Sequence, residues 1–485
     1  MIPMITLKNT TQLSKRIGKQ LVEDLSQEEI TKVLKQIKST KSKQLLTFKQ
    51  KIQPTLEQQE VLWALAENCR LIYKFALQER LNWWKQNKDK SKEEQKDYPD
   101  YTKQQNDLPK IKQIYPRYKQ NYAKTLQMTL AQLEADFKSF LVLRKKGYSE
   151  AQPPRFKGKE YFTPIIYNQL GFKIKDNKLY FSHNYLLNNF NKIELSFSLI
   201  QNFNTDKEKI KQVIISQNKK TKEFFISIQY EIEVPKYFDN GLYQAFDQGT
   251  TTILAGVNSH AGKTILIENP QIDKYWQPKI NELKSKRDHC IKFSNKWYWY
   301  NEKLKKVLIK RLNQRRDFQH NITKKTINNT QANTILIGDL KVKDIHPKEK
   351  GNKSTDKGIR RNLLNSGMVS QLARFLTYKA EKAGKKIIRI SERRTTQRCC
   401  YCGKREQRKL SERIIYCDKC GLLIDRDINA SVNIMQRFFA ILSLSHERLL
   451  VGQQLLNEFR KLFFATNSSG ICQQANAQQT RKKSC

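Results

Sequence analysis

Two Cys-x-x-Cys pairs, Cys399/Cys402 and Cys417/Cys420, flank residues 403–416, and an acid-rich run, Asp425-Arg-Asp-Ile-Asn-Ala430, follows just beyond Gly421. Thiolates two residues apart can grip one tetrahedral ion while neighbouring backbone amides bond the sulfurs, so residues 395–424 are expected to fold as a ribbon around one zinc ion. Four thiolates leave no open position for water, which makes that ion structural and not chemical. The spacer falls just under the typical range of about 15 to 20 residues. Five of the nine cysteines in the 485-residue chain lie between 399 and 420, a clustering that suits a metal site better than cross-links. Cys400 competes as a ligand, but the two-residue gap selects Cys399 and Cys402. Cys69, Cys290, Cys472 and Cys485 read as packing or surface residues.

Charge narrows the partners. Lys and Arg number 91 against 46 Asp and Glu, a formal net charge of +45, and the sequence pI is near 9.9. Such a field selects a polyanion, and nucleic acid outranks a membrane surface. No apolar run approaches the roughly 18 to 20 residues of a membrane span. Met1 to Thr10 lacks the apolar core and cleavage site of a secretory signal, so the expected setting is intracellular: cytoplasm or nucleoid, or nucleus in a eukaryote.

Along the chain, residues 1–45 read as a polar, helix-prone extension with a capping box at Ser26 and Glu29 ahead of Ile30, Val33, Leu34 and Ile37. A strand at Leu45–Ile52 leads to Thr55, which caps a helix carrying Val61, Leu62, Leu65, Leu71, Ile72 and Phe75 inward. Asn87 to Asp107 reads as a solvated connection, and a second amphipathic helix carries Leu126, Leu130, Leu133, Phe137, Phe140 and Leu141. After Pro153-Pro154, short β-branched and aromatic segments broken by turns predict an antiparallel sheet or small barrel that carries the helical insertion. From Gly241 the pattern is three strands, a long basic helical stretch over Tyr275–Asn329, a strand at Thr334–Ile337, and a charged loop at Lys341–Arg361. A helix ending at Gly384, the strand Lys386–Ile390 and a last helix from Asp427 follow. Three strands, helix, strand, helix, strand, helix is the order of a ribonuclease H-like fold.

Hydrolysis of a phosphodiester by two divalent ions needs three or four carboxylates from separate elements to converge on ions about 3.5–4 Å apart, and hard oxygen ligands select Mg²⁺ or Mn²⁺. Asp247 ends the first strand and is followed by Gln248-Gly249, where glycine leaves the backbone room near an ion; the same residues also suit a plain hairpin turn. Asp427 begins the helix beside the ribbon, with Asn429 two residues on. It reads equally as a helix N-cap, and Asp425 is its rival.

Asp247-Gln-Gly, Thr395-Thr-Gln-Arg-Cys399-x-x-Cys402-Gly403, Cys417-x-x-Cys420-Gly421 and Asp425-Arg-Asp-Ile-Asn-Ala430 together resemble the TnpB family of transposon-encoded, RNA-guided nucleases, relatives of the compact type V CRISPR effectors. Gln53-Pro-Thr-Leu-Glu-Gln58, Arg70-Leu-Ile-Tyr73, Pro154-Arg-Phe-Lys157 and Tyr378-Lys-Ala380 extend the resemblance over about residues 45–435. It favours Asp427 over Asp425. One departure stands out: the family's usual glutamate after the fourth strand is absent, and Ile337 is followed by Gly338-Asp339-Leu340. Asp339 could substitute with a shorter reach, the site could be dead, or Glu392 could supply the acid from the neighbouring strand into the space left by Gly338. A subset of the family is similar in placing the glutamate later. The resemblance therefore implies a catalytic set of Asp247, Glu392 and Asp427 holding two Mg²⁺ ions.

It implies an α/β multidomain architecture: an N-terminal wedge-like β-barrel over 46–236 with a helical recognition insertion at about 55–150, then a RuvC-like nuclease domain over 237–435 with the zinc ribbon inserted, then a helix and polar tail over 436–485. The implied activity is RNA-guided cleavage of double-stranded DNA beside a short target-adjacent motif, with guide RNA and target DNA as partners. A nuclease-inactive RNA-guided repressor and a guide-independent transposase or resolvase are the alternatives. Basic faces around Arg70, Arg155, Lys157, Arg311, Arg315 and Arg316 are candidates for phosphate contact, with Tyr73, Trp297 and Trp299 for base stacking.

Overall fold

A computed structural model describes residues 8–91, 93–94, 97–184, 193–203, 208–219, 221–339, 368–408, 412–445 and 448–467. The charged loop at Lys341–Arg361, Cys472, Cys485 and nearly all of the polar tail lie outside the described residues. The chain divides into two compact units, one of Lys43–Glu233 and one joining Met1–Ser42 to Val234–Cys485.

The first two helices, α1 (Lys8–Glu23) and α2 (Gln27–Lys38), belong to the larger unit. The Ser26 hydroxyl accepts from the Glu29 amide at 3.3 Å and the Glu29 carboxylate accepts from the Ser26 amide at 3.0 Å, closing the capping box. The segment is more than a polar preface: Ile17, Leu21, Ile30 and Val33 are all buried.

In the smaller unit, β1 (Lys43–Ile52) runs into α3 (Leu56–Asn87), whose start is fixed by a Thr55/Gln58 capping box. Two short helices, α4 (Tyr101–Asn106) and α5 (Leu108–Ile114), precede α6 (Ala123–Lys145). α3 and α6 bury Cys69, Ile72, Tyr73 and Leu77 against Leu126, Leu130, Leu133 and Phe137. Phe75, expected inside, is 60% exposed because the inward stripe runs through residues 72, 73, 76 and 77. The 87–107 stretch also departs from a solvated connection. Gln104 of α4 is buried and accepts from Arg80 at 2.7 Å, and Arg80 also meets Glu134 of α6.

Among the described residues, six strands complete this unit: β2 (Ile165–Asn168), β3 (Phe172–Lys175), β4 (Lys178–Phe181), β5 (Ser196–Ser198), β6 (Glu208–Gln217) and β7 (Phe224–Glu233). They form two sheets, ordered β1-β7-β6-β2 and β3-β4-β5, whose inner faces share one core with Val61, Leu62 and Leu65 of α3.

The larger unit is built on a sheet of β8 (Tyr243–Gln248), β9 (Thr252–Asn258), β10 (Thr264–Glu268), β11 (Thr334–Asp339) and β12 (Lys386–Ser391). Its order is β10-β9-β8-β11-β12. β8, β9 and β10 are antiparallel neighbours, whereas β8, β11 and β12 run parallel. Between β10 and β11 lies the helical pair α7 (Ile272–Asp288) and α8 (Asn295–Asn329); α9 (Met368–Lys382) precedes β12. The short hairpin β13 (Ile414–Tyr416) and β14 (Leu423–Asp425) leads into α10 (Arg426–Leu442), and α11 (Leu449–Thr466) closes the described chain.

Both faces of the sheet are covered, so β8 reads as a continuous buried run and alternation decides which cover each side chain meets. Tyr243, Ala245, Leu336, Ile388 and Ile390 pack in the core that contains α10. Phe246, Ile335 and Ile337 pack in the other, with Ile327 of α8 and Leu372 and Leu376 of α9. Every residue of α10 from Asp427 to Leu442 is buried.

Candidate active site and metal centre

The parallel register aligns the carboxyl ends of three strands: Ile337 pairs with Phe246 and Gly338 with Ile390. Period-2 alternation then sets direction. Asp247 continues the 243/245 face, Gly338 the 336 face and Glu392 the 388/390 face, so all three belong to the side covered by α10. Asp339 falls one residue out of phase, and such a shift turns a side chain to the opposite face. Its carboxylate pairs instead with Lys32 of α2 at 2.7 Å.

Gly338 is the complement of Glu392. A Cβ at 338 would sit inside the Glu392 carboxylate. That carboxylate is buried, and among the described residues its Oε1 has no hydrogen-bond partner. Burial, then the charges of Asp247 and Asp339, push its pKa well above the ordinary carboxylate value, opposed by the Gln248 backbone amide. Asp247 is pushed up to about 8 by burial and by Asp427 and Asp425, with Arg426 pulling the other way. Gly249 has a simpler role than leaving room for an ion. A Cβ there would lie 2.6 Å from the Thr252 carbonyl, so the tight β8–β9 turn itself requires glycine.

Asp425 is the N-cap of α10. Its Oδ1 accepts from the amides of Asp427 at 2.8 Å and Ile428 at 3.1 Å, which leaves the Asp427 side chain free of the capping role. Asp427 Oδ2 accepts from Arg413 Nη1 at 3.0 Å and its Oδ1 from Arg426 Nε at 3.3 Å. Arg413 also bonds Thr251 Oγ1 beside the β8–β9 turn. Arg413 and Arg426 were not legible as site residues; Arg426, between the two aspartates, carried the only sequence signal. Among the described residues the three carboxylates do not form a cluster as tight as the thiolates described next.

The sulfurs of Cys399, Cys402, Cys417 and Cys420 lie within 4.8 Å of one another. The Cys399–Cys420 and Cys402–Cys417 separations are 3.7 and 3.5 Å, close to the edge of about 3.8 Å that a tetrahedron with Zn–S bonds of about 2.3 Å requires. Cys400 stands apart. It is fully buried, its amide donates to Asn429 Oδ1 at 2.9 Å, and its carbonyl accepts from Gln436 and Arg460. Asn429 and Asn433, one turn apart on α10, each donate to the carbonyls of Thr395 and Arg398. The helix that carries Asp427 is thereby tied to the strand-to-ribbon loop that carries Glu392.

The nucleic-acid candidates separate on exposure. Arg70 is buried, paired with Glu67 at 2.6 Å, and donates to the Lys157 carbonyl at 3.1 Å. Tyr73 is also buried, with Lys157 Nζ 3.7 Å from its ring centroid. Neither is available to a phosphate or a base: the expectation is corrected, and both hold the α3 core to the 155–161 segment. Arg315 is buried beside Asp273 at 3.5 Å and is likewise structural. Arg155, Arg316 and Trp299 are exposed, and Lys157, Arg311 and Trp297 are half-buried.

With this geometry in view, two family profiles match the chain: a Cas12f1-like TNB domain over residues 370–434 and a helix-turn-helix domain of the IS605 OrfB type over 44–89. In this chain the second region is a strand followed by one long helix. InsQ of Escherichia coli K12, provisionally assigned as an RNA-guided DNA endonuclease, is 26% identical over 444 residues, 87% of this chain and all of that protein. The TnpB-like protein MJ0751 of Methanocaldococcus jannaschii is 29% identical over 176 residues, 36% of this chain and 61% of that one. Among solved structures, Cas12f1 in a cryo-EM complex with single-guide RNA and target DNA superposes with a TM-score of 0.51 at 14% identity, covering 78% of this chain and 83% of that one. Profiles and relatives agree in their likeness to the TnpB family, and the fold is similar to that of Cas12f1.

Proposed function

We propose that the protein is an RNA-guided endonuclease that cuts double-stranded DNA beside a short target-adjacent motif, with Asp247, Glu392 and Asp427 as the catalytic carboxylates of a RuvC-like, ribonuclease H-like domain. The observation that carries the reading is the fit of Glu392 into the space over Gly338, on the same sheet face as Asp247 and under the helix of Asp427. The family's relocated-glutamate subset accounts for this arrangement. The sheet order β10-β9-β8-β11-β12, with its antiparallel and parallel halves, supports the ribonuclease H-like assignment.

The donor set fits hard divalent ions: oxygen ligands only, two carboxylates disfavoured as anions where they stand, and one buried oxygen without a partner among the described residues. Asp247, Glu392 and Asp427 would hold two Mg²⁺, which when bound supply Lewis-acid activation of water and charge neutralisation at the leaving oxygen. The protein's part is placement. β8 and β12 hold two carboxylates on a rigid sheet, and α10 presents the third, with Asp425 spending its own side chain on the helix cap. The Arg413 and Arg426 guanidiniums hold Asp427 in place and leave a cationic rim for a phosphate backbone. The four thiolates would hold one zinc ion that fixes the ribbon, and through Asn429 and Asn433 the ribbon stays in register with α10.

In this reading sequence is read by guide pairing and the protein holds the duplex through its backbone, which suits a net charge of +45. Buried, mutually repelling acids cost stability and add nothing to a protein that only binds, which weighs against a repressor. The test is to express the chain, sequence the RNA that co-purifies, and challenge the complex with matching duplex DNA in Mg²⁺. A discrete RNA and guide-dependent cleavage are expected. Cleavage indifferent to the RNA would point to a transposase or resolvase, and binding without cleavage to a repressor.

A further inference from the structure

Residues 8–38 lie outside the segment that carries the family motifs, yet α2 packs on the strand that leads to Glu392. Among the described residues β12 is the edge strand of its sheet, and an edge strand leaves backbone groups unpaired. Gln36 of α2 fills that role with one side chain: its Oε1 accepts from the Arg389 amide at 2.9 Å and its Nε2 donates to the Arg389 carbonyl at 3.3 Å. Lys386 at the start of the strand donates to the Ile37 carbonyl at 2.8 Å.

The tighter connection is at the turn between α1 and α2. Asp24 is buried there among three arginines. Its Oδ1 accepts from Arg394 at 3.0 Å, its Oδ2 from Arg398 Nε at 3.0 Å and Nη2 at 2.8 Å, and Arg437 of α10 stands 3.8 Å away. Arg437 is fully buried and donates to the carbonyls of Leu21, Ser391 and Arg393. Two of these carbonyls belong to the residues on either side of Glu392. Arg394 holds a left-handed backbone, φ 62°, that a non-glycine residue keeps only where its surroundings impose it. One carboxylate thus gathers the loop that carries Glu392, the residue just before the first thiolate, and the helix that carries Asp427.

We propose that Asp24 is a positioning residue of the cleavage site: the N-terminal helical pair is a brace that sets the Glu392 carboxylate against Asp247 and Asp427. The inference rests on the carboxylate site described above and adds an element to it. Lys32 serves the same brace by engaging Asp339, so that the out-of-phase acid beside Gly338 is held off the ions.

The test uses the full chain loaded with its RNA. Mn²⁺ uptake is read from loss of the free-ion EPR signal, and cleavage is followed against Mg²⁺ concentration. Asp24→Asn is expected to weaken Mn²⁺ binding and raise the Mg²⁺ requirement by about 10- to 100-fold, the usual cost of losing an outer support of a metal site. Target DNA binding should be unchanged, and Asp24→Glu should recover part of the loss. Unchanged Mn²⁺ affinity in a folded Asp24→Asn protein overturns the proposal. Should that variant fail to fold, Gln36→Ala decides: a several-fold weaker Mn²⁺ affinity supports the brace and a wild-type affinity overturns it. Failure of the site reading looks different, because the wild-type chain then takes up no Mn²⁺ that Asp247→Asn removes, and the brace falls with it.

Discussion

A carboxylate buried without a cationic partner is costly, and folded chains normally protonate it, pair it or give it an ion. Among the described residues Glu392 has the Gln248 backbone amide and no cation, and its Oε1 is unpartnered, while Asp24, Asp339 and Asp427 each face a lysine or arginine. The residue that makes its position possible is Gly338. Adding one methyl group there forces the carboxylate aside, and overpacking of this kind costs about 1–3 kcal/mol of stability. Displacing a reacting group by an ångström can cost on the order of a hundredfold in rate. Gly338→Ala is therefore expected to fold and to bind target DNA, with cleavage reduced by roughly that factor. A Gly338→Ala protein that cuts at the wild-type rate would mean that Glu392 is not a catalytic acid.

Among the elements, the ribbon and α10 act together. Cys417→Ser is expected to release the zinc, measured by metal content, and to lower cleavage by at least about tenfold as α10 loses its hold on the Thr395–Arg398 loop. Retained zinc or undiminished cleavage would contradict that coupling. The α1–α2 turn makes a separate, pH-dependent contribution. Burial alone would raise the Asp24 pKa, but hydrogen bonds from Arg394 and Arg398 and the nearby charge of Arg437 outweigh it and hold it below the usual range. Since its folded value is depressed, its contribution is present above the unfolded value of about 3.9 and is lost as the pH falls through the folded value. Removing one partner of a buried pair costs about 3–5 kcal/mol. Asp24→Asn should melt well below the wild type at pH 7, with the gap closing under acid. An equal gap at pH 7 and at pH 3 would show that the charge of Asp24 contributes nothing.

At the scale of the whole molecule, what the sequence disclosed follows the range of the interactions. Local signals were legible: the capping boxes at Ser26 and Thr55, the strands around Asp247 and Gly338, and the two thiolate pairs all depend on residues a few positions apart. Glu392 could be nominated only through a missing side chain on a neighbouring strand, a non-local signal that needed a family pattern to be seen. The arginine contacts of Asp24 span about 370 residues of chain and left no periodic trace. Arg70 and Tyr73 were nominated as a cation and an aromatic ring of a strongly basic chain; the folded helix buries both. The overall charge of +45 was visible from composition, but which of its cations face solvent was not.

The central claim is that Asp247, Glu392 and Asp427 converge on one site to cut DNA, and the most direct measurement is a paired one on the RNA-loaded protein. Target binding and Mg²⁺-dependent cleavage are measured for Asp247→Asn, Glu392→Gln and Asp427→Asn singly. Each variant is expected to bind as the wild type does and to cut more than about a hundredfold more slowly, beyond the loss typical of an outer support. Wild-type cleavage by Glu392→Gln, with Asp247→Asn and Asp427→Asn inactive, would contradict the account and return the missing acid to some other residue.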